Sequence, residues 1–202
     1  ISSAASDVYK RQARDRAVKL QLRLAQLDRI DSCRNDFLTF VRAMWPEFIA
    51  GEHHKIIAEK FQRVADGSLK RLIINMAPRH TKSEFASNFL PAWFIGRNPN
   101  MKIIQATHTT ELAVGFGRKV KNLLDREDYT EIFPEAKLSA DSKASGRWDT
   151  ARGGTYYAVG VGSNLAGRGG DLVIIDDPHS EQTAMSNNCL LYTSPSPRDS
   201  LS

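Results

Sequence analysis

Two apolar runs, each ending in polar residues of a distinct kind, constrain this chain more than any other feature. The first, Leu72-Ile73-Ile74, leads into Ala77-Pro78-Arg79-His80-Thr81-Lys82-Ser83, which opens a helical stretch from Glu84 to Phe94. The second, Leu172-Val173-Ile174-Ile175, lies far downstream and ends in Asp176-Asp177. Short continuous apolar runs suit strands buried on both faces of a parallel sheet, and such strands need crossover connections, usually helical. The expected fold is therefore α/β. Ligands in sheets of this kind sit at the carboxyl ends of the strands, where both polar tips fall.

A strand, a tight loop ending in Lys-Ser and a helix form the layout of a phosphate-binding P-loop, and an apolar strand ending in aspartate has the form of a Walker B segment. Together they point to nucleoside triphosphate hydrolysis, with ATP and Mg²⁺ as the implied ligands. Pro78, Arg79, His80, Thr81, Lys82 and Ser83 are the candidate nucleotide-binding residues. Lys82 is expected to reach the β- and γ-phosphates, and Ser83 to place its hydroxyl on Mg²⁺. The backbone N–H groups from His80 through Ser83 would cradle the phosphates at the positive end of the following helix. Asp176 is the expected magnesium-side carboxylate, and Asp177 the residue that orients and deprotonates the attacking water. The alternative for Asp177 is a helix or turn cap before Pro178. Arg79 could stabilise charge on the γ-phosphate or anchor the loop by ion pairing. Arg168, within Gly167-Arg168-Gly169-Gly170, is a candidate phosphate or DNA contact, with a plain exposed loop arginine as the alternative. A strand follows those glycines where a dinucleotide fingerprint would require a helix.

Two departures from the P-loop pattern stand out. Met76 occupies the place of the first glycine, and Thr81 that of the glycine before the lysine. A β-branched residue at positive φ is a genuine outlier, so Thr81 is expected at negative φ.

The rest of the chain supports this frame. Residues 13–30 predict a helix, with Ala13, Ala17, Leu20, Leu24 and Leu27 at helical spacing. Asp36 can cap a second helix that ends before Pro46, with Phe37, Phe40, Val41 and Met44 on its apolar face. A third is predicted from about Glu52 to Asp66, stopped by Gly67. Strands are predicted over Arg71–Met76 and Lys102–Thr107, and a helix over 82–95 that Pro91 should kink or shorten. Thr109 or Thr110 should cap a helix through Leu124. Residues 148–150 and 155–161 read as a hairpin around Gly153-Gly154. The adjacent His53 and His54 point in different directions on a helix and do not form a metal pair. They read as one half-buried and one solvated histidine.

The sequence has 202 residues, 41% hydrophobic and 25% charged, enough for one sizeable domain. Its net charge of +5 suits a polyanionic partner without requiring one. No apolar stretch approaches the roughly twenty residues that span a bilayer, and no signal peptide is visible. The two cysteines, Cys33 and Cys189, build no disulfide framework, so a reducing cytosol is expected. Residues 1–12 and 189–202 resemble translated adapter DNA and are expected to be non-native. That leaves an N-terminal helical segment over 13–70 and an incomplete P-loop core over 71–188.

The ordered set Met76-Ala77-Pro78-Arg79-His80-Thr81-Lys82-Ser83-Glu84, Leu90-Pro91-Ala92-Trp93-Phe94, Phe116-Gly117-Arg118, Gly154-Thr155-Tyr156-Tyr157, Ala166-Gly167-Arg168-Gly169-Gly170-Asp171 and Ile174-Ile175-Asp176-Asp177-Pro178 resembles the large terminase subunit of tailed bacteriophages. The likeness runs over residues 35 to 188. It implies a RecA-like P-loop fold, a mostly parallel sheet with helices on both faces. It also implies the ATPase half of a motor that pumps double-stranded DNA into a procapsid in the host cytoplasm. The implied partners are a portal protein, a small terminase subunit and further copies in a ring, with a nuclease domain elsewhere in the full-length protein. The same resemblance makes Arg79 a candidate for the arginine of the Walker A segment. A helicase-like P-loop ATPase is the alternative enzyme reading. A nucleotide- or DNA-binding module with impaired hydrolysis is the alternative from another class, motivated by Thr81 and the short Asp177.

Overall fold

The computed structural model describes residues 3–77, 79–142, 144–163 and 167–179, with side chains described from residue 11 onward. Pro78 and the 189–202 segment lie outside the described residues. The chain divides into two compact units, residues 1–72 with 131–133, and residues 73–130 with 134–202.

The first unit is helical: α1 (Ser3–Asn35), α2 (Phe37–Met44) and α3 (Glu52–Ala65). The helix predicted over 13–30 lies inside α1, which already includes most of the stretch read as a leader. Residues 11–29 of α1 are exposed, Leu20, Leu24 and Leu27 among them, and burial begins in earnest at Cys33. The Asp36 carboxylate accepts from the Thr39 N–H at 2.6 Å and caps α2, as its position predicts. α2 buries Phe37, Phe40, Val41 and Met44, and the Phe37 ring meets Phe61 of α3 edge-on at 5.2 Å. Gly67, just past α3, has φ +76°, the left-handed stop expected there. Neither histidine of α3 is solvated. His54 is buried and its Nδ1 accepts from the Gly51 N–H, while the His53 ring lies 3.8 Å from it, centroid to centroid, and is half-buried. The first-turn backbone donor draws His54 back along the helix axis, which overrides the simple angular spacing of neighbours.

The second unit is an α/β layer. Its open sheet has four strands in the order β2-β3-β1-β4, with β1 Lys102–Thr107, β2 Arg147–Asp149, β3 Thr155–Gly160 and β4 Leu172–Ile175. β1 runs parallel to both β3 and β4; β2 and β3 form the predicted antiparallel hairpin, turning through Gly153 at φ +86°. Its helices are α4 (Leu90–Arg97) and α5 (Thr110–Leu124), and α6 (Glu127–Ile132) begins in this unit and ends in residues assigned to the first. The Thr109 hydroxyl accepts from the Leu112 N–H and caps α5. Trp148 and Tyr156, both fully buried, stack with centroids 4.8 Å apart. Trp148 Nε1 donates to Gly117 O at 3.2 Å.

Two predicted elements differ. Arg71–Met76 forms no strand ladder among the described residues; its side chains alternate between exposed and half-buried, and Ile73 is 95% exposed. An apolar run reports a preference for burial but does not name the strand that should pair with it. The helix after the loop is not simply kinked at Pro91. Residues Glu84–Phe89 form a π-helical turn that runs directly into α4. Proline has no N–H to give to Ser87 O, and Leu90 N–H instead reaches back to Phe85 O, so the ladder changes register ahead of the proline. Among the described residues no helix is long and apolar enough to cross a membrane.

Candidate active site

β4 and the start of the π-helical turn bring the two predicted motifs together. Lys82 Nζ lies 2.9 Å from Asp177 Oδ1 and 3.6 Å from Asp176 Oδ1. These residues are far apart in sequence, so the pairing is a product of the fold. The Lys82 side chain is 26% exposed, that of Asp176 7% and that of Asp177 64%. The lysine therefore bridges an inner carboxylate and an outer one that faces solvent. Its pKa is raised, first by the hydrogen bond to Asp177 and further by the two carboxylate charges, against a smaller opposing effect of burial.

Backbone contacts fix the tip of β4. Asp176 N–H donates to Ala106 O at 2.9 Å, continuing the parallel ladder beside β1. His108, just past β1, holds Asp177 O twice, through its own N–H at 3.2 Å and through Nδ1 at 3.2 Å. A carbonyl only accepts, so Nδ1 carries a proton in that contact. Asp177 is held at φ 45°, a left-handed conformation that non-glycine residues seldom adopt.

The loop also carries strain. Arg79 has φ 64° and Thr81 φ 61°. Thr81 was expected at negative φ, and the structure corrects this. The loop bends through Arg79–Thr81, and with no glycine there Arg79 and Thr81 both take the left-handed backbone. Thr81 Oγ1 donates to His80 O at 2.6 Å, and Thr81 O accepts from the Phe85 N–H as the helical ladder opens.

The remaining candidates are placed as follows. Ser83 lies at the helix start but makes no hydrogen bond to either carboxylate. Ser87, one turn further along, donates to Asp176 Oδ2 at 2.9 Å. Arg79 is exposed on the loop and forms no ion pair among the described residues. Arg168 is exposed, with its guanidinium 4.2 Å from the Tyr157 ring centroid, apart from the lysine–carboxylate cluster. Ser87, Gln105 and His108 are the residues that motif reading passes over. Gln105 alone left a trace, as a polar residue inside the apolar strand Ile103-Ile104-Gln105-Ala106.

Chemically the cluster sums one lysine against two aspartates, a net charge of −1. The carboxylates favour a cation and the lysine an anion, so a metal–polyphosphate satisfies both. Mg²⁺ commonly takes one or two carboxylates and completes its shell with water and phosphate oxygens, and two carboxylates at one strand tip fit that donor set. No group of three or more His, Cys, Asp and Glu that could hold a metal occurs among the described residues. No protein-family model matches the chain, and no curated protein matches it.

Proposed function

We propose that this chain is the ATPase part of a large terminase subunit, a P-loop enzyme that couples ATP hydrolysis to translocation of double-stranded viral DNA. The observation that carries the reading is the convergence of Lys82 with Asp176 and Asp177 at the carboxyl end of β4. In this reading Lys82 exchanges a carboxylate for the β- and γ-phosphates. Asp176, and Ser83 if its side chain turns toward the ligand, face Mg²⁺, which neutralises phosphate charge when bound. Asp177, the exposed carboxylate, orients the attacking water. Arg79 and the backbone N–H groups of His80 through Ser83 cover the phosphates, and Arg168 serves the DNA backbone or a phosphate. The net charge of +5 suits a DNA partner. The portal, the small terminase subunit, a ring of like subunits and the host cytoplasm as the site of action belong to the same proposal.

Strain at Thr81 favours one competing reading, a nucleotide-binding module with impaired hydrolysis. Titration calorimetry with Mg-ATP separates the outcomes. Lys82→Ala should weaken binding about 10- to 100-fold, the size of one lost charged hydrogen bond. Asp177→Ala should keep binding and lose phosphate release. Binding untouched by Lys82→Ala removes the P-loop reading, and binding without any phosphate release in the native chain, with DNA present, favours the module.

A further inference from the structure

Behind Asp176 lies a polar chain that the apolar surroundings do not call for. Asp176 Oδ2 accepts from Ser87 Oγ at 2.9 Å, and Ser87 Oγ accepts from Gln105 Nε2 at 3.1 Å. Gln105 and Ser87 are fully buried, and Asp176 is 6% exposed. The direction of the chain is forced. A carboxylate can only accept, so the Ser87 proton points at Asp176, and the serine lone pair is left to accept from the amide. That fixes the amide with Nε2 toward Ser87 and Oε1 away. Gln105 Oε1 finds no hydrogen-bond partner among the described residues.

A buried acceptor left in this way is destabilising, and an apolar residue at position 105 would avoid it. The π-helical turn contributes too, because Ser87 sits within Glu84–Phe89, where the widened ladder sets the side chain's direction. The outcome is a divided carboxylate. Oδ2 is tied inward, and Oδ1 is presented outward, 3.6 Å from Lys82 Nζ.

We propose that Ser87 and Gln105 are positioning residues that lock the Asp176 carboxylate so that Oδ1 faces a metal–triphosphate. This rests on the triphosphate reading above. Neither residue touches the ligand; Ser87 acts through Asp176, and Gln105 through Ser87. Outer-shell partners of metal-binding carboxylates commonly change affinity 10- to 100-fold when removed.

The test is equilibrium binding of Mg-ATP, and of ATP in excess EDTA, to the native chain, Ser87→Ala, Gln105→Leu and the double variant, with thermal unfolding of each. Ser87→Ala should lose about tenfold in Mg-ATP affinity while metal-free ATP binding stays unchanged. The double variant, which removes both ends of the broken hydrogen bond, should recover melting temperature relative to Ser87→Ala yet keep the Mg-specific loss. Native Mg-ATP affinity in Ser87→Ala would overturn the relay. So would recovery of affinity together with stability in the double variant, since that is the mark of packing alone. If the native chain binds neither form of ATP, the triphosphate reading itself fails, an outcome distinct from the first two.

Discussion

Single residues decide where this structure is tight and where it is strained. Tyr129 and Tyr156 are both fully buried, but their hydroxyls differ. Tyr129 donates to Ala92 O at 2.8 Å, whereas Tyr156 Oη has no hydrogen-bond partner among the described residues. Tyr129→Phe should therefore cost about 1 kcal/mol in urea unfolding, and Tyr156→Phe should be neutral or stabilising. Burial raises the pKa of both phenols above the ordinary value. The native state thus holds them neutral, while the unfolded chain ionises near pH 10. Their contribution is fully present below that pH and is lost as pH rises beyond it, so alkaline unfolding should be less steep in Tyr156→Phe. Thr81 at φ 61° offers a second test: Thr81→Gly should raise stability by about 1 kcal/mol, because a β-branched side chain no longer occupies a left-handed turn. The sequence marks position 81 as a conflict between a turn and a β-branched residue, and the residue, not the backbone, bears it. Composition shows that a glycine is missing, but not whether the backbone yields or the residue bears the strain.

At the scale of elements, local chemistry was legible wherever one residue acts on its near neighbours. The Asp36 and Thr109 caps, the Gly67 stop and the turn at Gly153 all need only a few adjacent residues, and each is found as the sequence implies. Strand pairing is different. Lys102–Thr107 and Leu172–Ile175 join the sheet, while Arg71–Met76, no less apolar in its centre, joins no ladder among the described residues. Pairing depends on which edge is open, and that information is not local. β4 shows the consequence: Leu172 and Ile174 are buried, whereas Val173 and Ile175 are 54% and 64% exposed. An apolar edge strand invites association. Val173→Lys should lower concentration-dependent light scattering and leave the melting temperature nearly unchanged. Equal scattering would show that this edge is covered in solution.

Over the whole molecule, Lys82 meets Asp176 and Asp177 across a long stretch of sequence, while Ser83, from the same loop, makes no hydrogen bond to either carboxylate. Ser87 and His108 were silent, and Gln105 showed only as a polar break in an apolar strand, because such residues take their roles from neighbours across the sheet and not from a motif. Under the proposed function this cluster exchanges an internal ion pair for a bound metal–triphosphate. The most direct measurement is a crystal structure of the chain with Mg²⁺ and a non-hydrolysable ATP analogue. The expected result is phosphate oxygens within hydrogen-bonding distance of Lys82 Nζ, with the metal on the Asp176 side and the Lys82–Asp177 contact opened. An analogue bound elsewhere, with Lys82 still paired to Asp177, would contradict it.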